Sequence, residues 1–206
     1  MTLRRFAIIA VAAIAFCAGA AQADPLELAV NGGFETGAFD GWTLFPSAPG
    51  NITLVSPGQA GSFAAYLNNS VAPSAALIKN ANIGVGIVLP GETITISFDA
   101  KGMTAIGGVA FAEFFSEIAG GGTSKSVILG GAPLALDPNP DVWKHFSFTT
   151  TAGPDVSGGV TLQLTATTGA AIGSVAQVYY DNASVTVDRA VPVLPTTWGG
   201  VKNNYR

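Results

Sequence analysis

From Thr93 to Lys101 the chain alternates without a break. Ile94, Ile96, Phe98 and Ala100 fall on one side, and Thr93, Thr95, Ser97, Asp99 and Lys101 fall on the other. Gly159–Thr167 repeats the pattern, with Val160, Leu162, Leu164 and Ala166 opposite Thr161, Gln163, Thr165 and Thr167. A two-residue period of this kind is the mark of a strand with one buried face. The same reading predicts strands at Ile52–Ser56, Phe63–Asn68, Ala75–Ile83, Val109–Ile118, Ser124–Leu129, Trp143–Thr151 and Gln177–Val187. Turn glycines (Gly120-Gly121-Gly122, Gly130-Gly131) and a rigid loop (Asp137-Pro138-Asn139-Pro140-Asp141) separate them. No stretch of the body holds a 3.6-residue period, and no internal repeat recurs. Nine short strands, each apolar on one face, predict an all-β fold: a β-sandwich jelly roll of two antiparallel sheets packed face to face.

Composition agrees and narrows the function classes. The chain has 206 residues, enough for one sizeable core. Charged residues make up 11% and hydrophobic ones 49%, with 26 Gly and 12 Pro. Met1–Ala23 reads as a secretory signal peptide: Arg4 and Arg5, an apolar run from Phe6 to Ala20, then Ala21-Gln22-Ala23 as a cleavage pattern. Phe16 before Cys17 argues against lipoprotein attachment. Removal of the leader takes away the one cysteine, so the mature chain would be secreted and fold without disulfides. It would keep seven Lys/Arg against all thirteen Asp/Glu, a net −6. That balance lacks the basic footprint of a nucleic-acid binder. The domain is expected over residues 24–188, with residues 189–206 as a tail.

The two ends of the domain carry the most specific residues. It opens Val30-Asn31-Gly32-Gly33-Phe34-Glu35-Thr36-Gly37, continues Phe39-Asp40-Gly41-Trp42, and closes Tyr179-Tyr180-Asp181-Asn182-Ala183-Ser184-Val185. In the last strand Tyr179, Asp181, Ala183, Val185 and Val187 share one parity, which would turn Asp181 toward the core. An inward carboxylate must be paired, hydrogen-bonded, metal-bound or protonated. With only Arg189 near either motif, a cation is the expected partner, and a solvated Asp181 at the strand start is the alternative.

An opening N-G-G-F-E-x-G with a following G-W, paired with a closing Y-x-D-N-x-S-V, resembles the carbohydrate-binding modules of the galactose-binding-like jelly-roll class. The cellulose- and xylan-binding families of that fold are the nearest comparison. The opening is also similar to that of Gram-negative exported proteins with a Pro-Glu-Pro sorting tail. The resemblance implies the jelly roll, a glycan ligand, and a structural calcium held by Glu35 and Asp181, with carbonyls near Asn31 and Gly33 completing an oxygen shell. The tail departs from the sorting pattern, since Leu194 stands where the Glu would be and no membrane-length apolar run follows Trp198. No transmembrane anchor is therefore expected after cleavage.

Aromatic side chains beside amides and carboxylates are what a sugar surface requires. On Val109–Ile118 the set Phe111, Glu113, Phe115 and Glu117 shares a face, which reads either as a glycan groove or as core with emerging glutamates. Trp143 lies opposite Phe146 and Phe148, as a platform or a lid on the core edge. Tyr66, followed by Asn68 and Asn69, is a further candidate, and Trp42 is expected inside.

Catalytic signatures are few. There is one histidine, His145, and no G-x-S-x-G, H-E-x-x-H or histidine cluster. Glu113 and Glu117 on one strand stand about 13 Å apart, beyond a glycosidase dyad. The expected function is a secreted, non-catalytic module binding extracellular or cell-surface polysaccharide. A structural or matrix protein assembling with itself or with other exported surface proteins is the alternative, and a glycoside hydrolase or lyase is the third reading.

Overall fold

The computed structural model describes residues 24–188. The leader (1–23) and the tail (189–206) lie outside the described residues. Eleven strands form the domain: β1 (Leu26–Glu27), β2 (Trp42–Phe45), β3 (Ile52–Val55), β4 (Ala64–Asn69), β5 (Ser74–Ile83), β6 (Thr93–Ala105), β7 (Val109–Glu117), β8 (Thr123–Ile128), β9 (Lys144–Thr151), β10 (Val160–Thr168) and β11 (Val175–Val187). All nine alternating segments are strands. The two additions, β1 and β2, are too short to show a period.

Every pairing is antiparallel. One sheet runs β3-β4-β11-β6-β9, with β1 also on β11, and the other runs β2-β5-β10-β7-β8. Two antiparallel sheets with no α-helix among the described residues make this a jelly-roll sandwich. The core lies between the sheets. Ile94, Ile96 and Phe98 of β6 and Val178, Tyr180 and Val185 of β11 come from one side. Ile78 of β5, Phe114 of β7 and Leu162 and Leu164 of β10 come from the other, and all are fully buried. Tyr180 binds the sheets together, its hydroxyl donating to the Thr165 carbonyl at 2.9 Å.

The parity expected for the last strand breaks in its middle. Asp181 pairs with Asp99 and Ser184 with Ser97, so β11 has one residue too many between them. Asn182, at φ 50°, takes up this β-bulge. The face therefore switches: Tyr180 and Val178 are core upstream of the bulge, Ala183 and Val185 downstream. Tyr179 points outward, contrary to the simple alternation, and Asp181 is buried inside the bulge itself.

Candidate functional site: the outer face of the five-stranded sheet

Half of each strand's side chains point away from the core. In β7, Ala110, Ala112, Phe114 and Ser116 are buried while Phe111, Glu113, Phe115 and Glu117 are half-buried, so the second set lies on the outer face. Cross-strand register sets its neighbours. One row crosses all five strands as Thr43, Lys79, Gln163, Glu113 and Ile128. A second row, Phe45, Leu77, Thr165 and Phe111, flanks it on one side, and Thr161, Phe115 and Ser126 flank it on the other.

The central strand supplies the floor. Thr161, Gln163 and Thr165 of β10 face away from the core yet are only 1%, 7% and 4% exposed. Longer side chains on β5 and β7 stand around them, which makes the face a trough with a polar floor and aromatic flanks. The Gln163 amide donates to the Glu113 carboxylate and, at 3.3 Å, to the Thr165 hydroxyl. With both amide hydrogens engaged, the Gln163 carbonyl and the second Glu113 oxygen remain as acceptors. Lys79 Nζ lies 5.6 Å from the Phe45 ring centre and 5.1 Å from that of Phe115, within cation–π range. Where β5 and β7 end and β10 begins, the trough opens into a pocket of about 590 Å³. Lys79, Asn82, Glu117 and Thr161 line it, together with Gly120 and Gly121.

The five expected sugar residues do not form one site. Phe111, Glu113 and Phe115 share the trough, but Tyr66 lies on the opposite, six-stranded sheet and Trp143 immediately precedes that sheet's β9, which starts at Lys144. There Tyr66 stacks on Tyr179 with centroids 4.2 Å apart and an 18° tilt. Lys101 Nζ fills the next space, 5.2 Å from Tyr179 and 5.0 Å from Trp143. Tyr66 and Trp143 thus each give one ring face to this stack. Burial, and next the neighbouring Tyr179, push the Tyr66 phenol up to about 12. Lys79, Gln163 and Phe45 were not legible as site residues, because only strand pairing sets them beside Phe115 and Glu113.

The end motifs interlock at a second place. Asn31 organises the opening turn: its side-chain amide donates to Thr36 Oγ1 and to the Ala38 and Asp40 carbonyls at 3.0–3.3 Å. Phe34 is buried against Trp42, which confirms Trp42 as core. Gly32 lies flat on the closing motif, where a Cβ would come within 1.7 Å of the Ala183 carbonyl oxygen. The Glu35 carboxylate accepts the N–H groups of Ser62 (2.9 Å) and Phe63 (3.0 Å), which hold its pKa below the ordinary value. Asp181 accepts N–H groups from Gln59 (2.7 Å), Ala60 (3.3 Å) and Asn182 (2.7 Å). Burial nonetheless pushes its carboxyl up, opposed by those amides and reinforced by Glu35.

The expected calcium ligands lie at this junction of the two end motifs. Glu35 and Asp181 do converge: a Cβ on Gly33 would lie 3.6 Å from Glu35 Cγ and 3.9 Å from Asp181 Oδ1. Both carboxylates keep lone pairs after their amide bonds, so they offer the oxygen donors a hard cation takes. The Asn31 carbonyl fits less well, because it already accepts Phe34 N–H at 3.0 Å and Trp42 Nε1–H at 3.2 Å. Among the described residues no three His, Cys, Asp or Glu side chains gather at one point, so a cation here would need backbone oxygens.

Catalytic geometry is sparse. His145 Nδ1 lies 2.8 Å from Asp99 Oδ1 on the outer face of the six-stranded sheet, with its side chain 63% exposed. Among the described residues no hydroxyl is hydrogen-bonded to this ring. Glu113 and Glu117 lie on one strand, as their spacing predicts.

The CBM22-1 xylan-binding domain from Paenibacillus barcinonensis superposes with a TM-score of 0.55 at 15% identity, over 84% of this chain and 100% of that one. A second carbohydrate-binding module, of family 16, superposes with a TM-score of 0.51 at 15% identity, over 77% and 98%. The chain shares its fold with these modules. The same fold also occurs in the enzymatically active domain of bacteriophage CBA120 tailspike protein 4, with a TM-score of 0.59 at 15% identity. That match covers 78% of this chain but only 21% of the tailspike chain. No protein-family model and no curated protein matches the sequence.

Proposed function

We propose that this is a secreted, non-catalytic module that binds polysaccharide on the outer face of its five-stranded sheet. The carrying observation is the trough: the polar row Lys79, Gln163 and Glu113 set between Phe45 and Phe111 on one side and Phe115 on the other. Sugar rings offer apolar C–H faces to aromatic side chains and hydroxyls to amides and carboxylates. The trough supplies both kinds of group at strand spacing. The shared fold with a xylan-binding domain supports the reading.

The test is affinity electrophoresis of the purified protein through gels holding a panel of soluble plant and bacterial polysaccharides. Retardation by at least one polymer, lost in Phe115→Ala, is expected. Unretarded migration in every gel would overturn the reading. Structural calcium at Glu35, Asp181 and the Gly33 carbonyl belongs to the same proposal. It would join the opening turn to the closing strand of the six-stranded sheet, stabilising the domain rather than touching sugar.

One observation favours self-assembly as a second reading. The loop after β5 exposes Val85 (54%), Ile87 (41%) and Leu89 (56%) close together in sequence. A monomer in light scattering at high concentration would dismiss it.

A further inference from the structure

Four lysines are described, and they divide into two kinds. Lys125 Nζ donates to Thr150 and Thr151 oxygens at 2.6–3.2 Å, and Lys144 Nζ to the Ala135 carbonyl at 2.6 Å. Lys144 Nζ also lies 5.3 Å from the Phe146 ring centre, whereas Lys79 and Lys101 meet aromatic rings without a hydrogen-bond acceptor among the described residues. Lys101 is enclosed between Trp143 and Tyr179. Lys79 is placed differently: it lies in the polar row of the trough and lines the 590 Å³ pocket. Among the described residues its ammonium has no carboxylate within 4.0 Å and no hydrogen-bond acceptor.

Resting on the glycan reading above, we propose that the polysaccharide taken by this trough is acidic, and that Lys79 pairs with a uronate carboxylate. Two phenyl rings displace part of the water around the ammonium while supplying only quadrupole attraction, so an incoming anion meets a cation less screened than one in bulk solvent. The nearest carboxylate in the row, Glu113, is two strands away, about 10 Å at strand spacing, with the Gln163 amide between. It accepts from the Gln163 amide rather than from the lysine. The row therefore has a polarity, with three free N–H donors at Lys79 and acceptors at Gln163 and Glu113.

A uronate matches that polarity, because it carries an acceptor-only carboxylate on the same ring as hydroxyl donors. Its carboxylate at Lys79 would direct ring hydroxyls toward the Gln163 carbonyl and Glu113. A sulfate ester carries the same single negative charge spread over three terminal oxygens, so each is a weaker acceptor for this compact ammonium than a carboxylate oxygen, which favours the carboxylate. Lysine also suits the role, since its compact ammonium donates in several directions from a stem that packs on the phenyl rings.

The experiment is calorimetric titration with polygalacturonate, alginate and a glucuronan, each against its carboxyl-reduced counterpart. The readout is the affinity ratio within each pair. The wild-type protein is expected to favour at least one acidic polymer by roughly tenfold, the scale of one hydrogen bond to a charged group. That ratio should fall toward one in Lys79→Met, persist in Lys79→Arg, and shrink with added salt. Ratios near one for all three pairs, or a ratio unchanged in Lys79→Met, would overturn the inference. Binding of reduced polymers without preference would leave the glycan reading standing, whereas failure to bind any polymer would remove both. A preference only for a sulfated polymer included as a control would also reject the uronate.

Discussion

Asp181 Oδ2 accepts the backbone N–H of Gln59 at 2.7 Å, across 122 positions of chain. Glu35 does the same for Ser62 and Phe63, so the segment 59–63 donates its hydrogen bonds to carboxylates from both ends of the domain. Two carboxylates thus join the first turn, a mid-chain loop and the last strand. Asp181→Ala would empty a buried site and leave the part-buried amides of Gln59, Ala60 and Asn182 without their acceptor, and is expected to destabilise the fold by about 1–3 kcal/mol in urea denaturation. Asp181→Asn, which keeps one oxygen, should cost less. Gly61→Ala should also destabilise, since at φ +78° its Cβ would lie 2.5 Å from the Glu35 carboxyl carbon.

If a cation joins Glu35 to Asp181, it contributes by binding the native state alone, and the gain grows with its free concentration. Addition of chelator to calcium-loaded protein is then expected to lower Tm, and Asp181→Asn should remove the difference. An unchanged Tm would mean that the amide bonds to Gln59, Ala60, Ser62 and Phe63 suffice.

The opposite placement of the two aromatic sets predicts an asymmetry in binding. Phe111→Ala or Phe115→Ala should weaken polysaccharide retardation by roughly tenfold, about the loss of one well-buried apolar contact. Trp143→Ala and Tyr66→Phe lie across the sandwich and should leave retardation unchanged.

Phenolate absorbance should reveal the Tyr66–Tyr179 stack. Tyr66, pushed up to about 12, is expected to ionise well above the ordinary value of 10, and Tyr66→Phe should delete that step. In the unfolded chain the same phenol ionises near 10. Its contribution to stability is therefore fully present below pH 10 and is lost as pH rises from 10 through about 12. Tyr180, fully buried, should ionise later still.

Tyr180→Phe removes the hydroxyl that joins β11 to the Thr165 carbonyl without changing ring packing. A loss of about 1 kcal/mol is expected, read as a lower urea midpoint at unchanged slope.

The sequence by itself determined the nine alternating strands, the sandwich class and which side chains share a face along each regular stretch. Side chains on a strand alternate with period two, so Ile94, Ile96 and Phe98 must share a face whatever lies beside them. It also marked both end motifs, because each combines residue types with a local structural demand, such as the turn-forming Asn31 and the flat Gly32. What alternation lacks is any record of the partner strand. The bulge at Asn182, which turns Tyr179 outward and shuts Asp181 in, appears only when β11 is paired with β6. The assignment of β4 and β9 to one sheet and β7 to the other likewise separates Tyr66 and Trp143 from Phe111 and Phe115. The same long-range pairing brings Lys79, Gln163 and Glu113, far apart in the chain, into one row. Period two fixes which side of a strand a residue takes, and hydrogen bonding between distant strands decides what stands beside it.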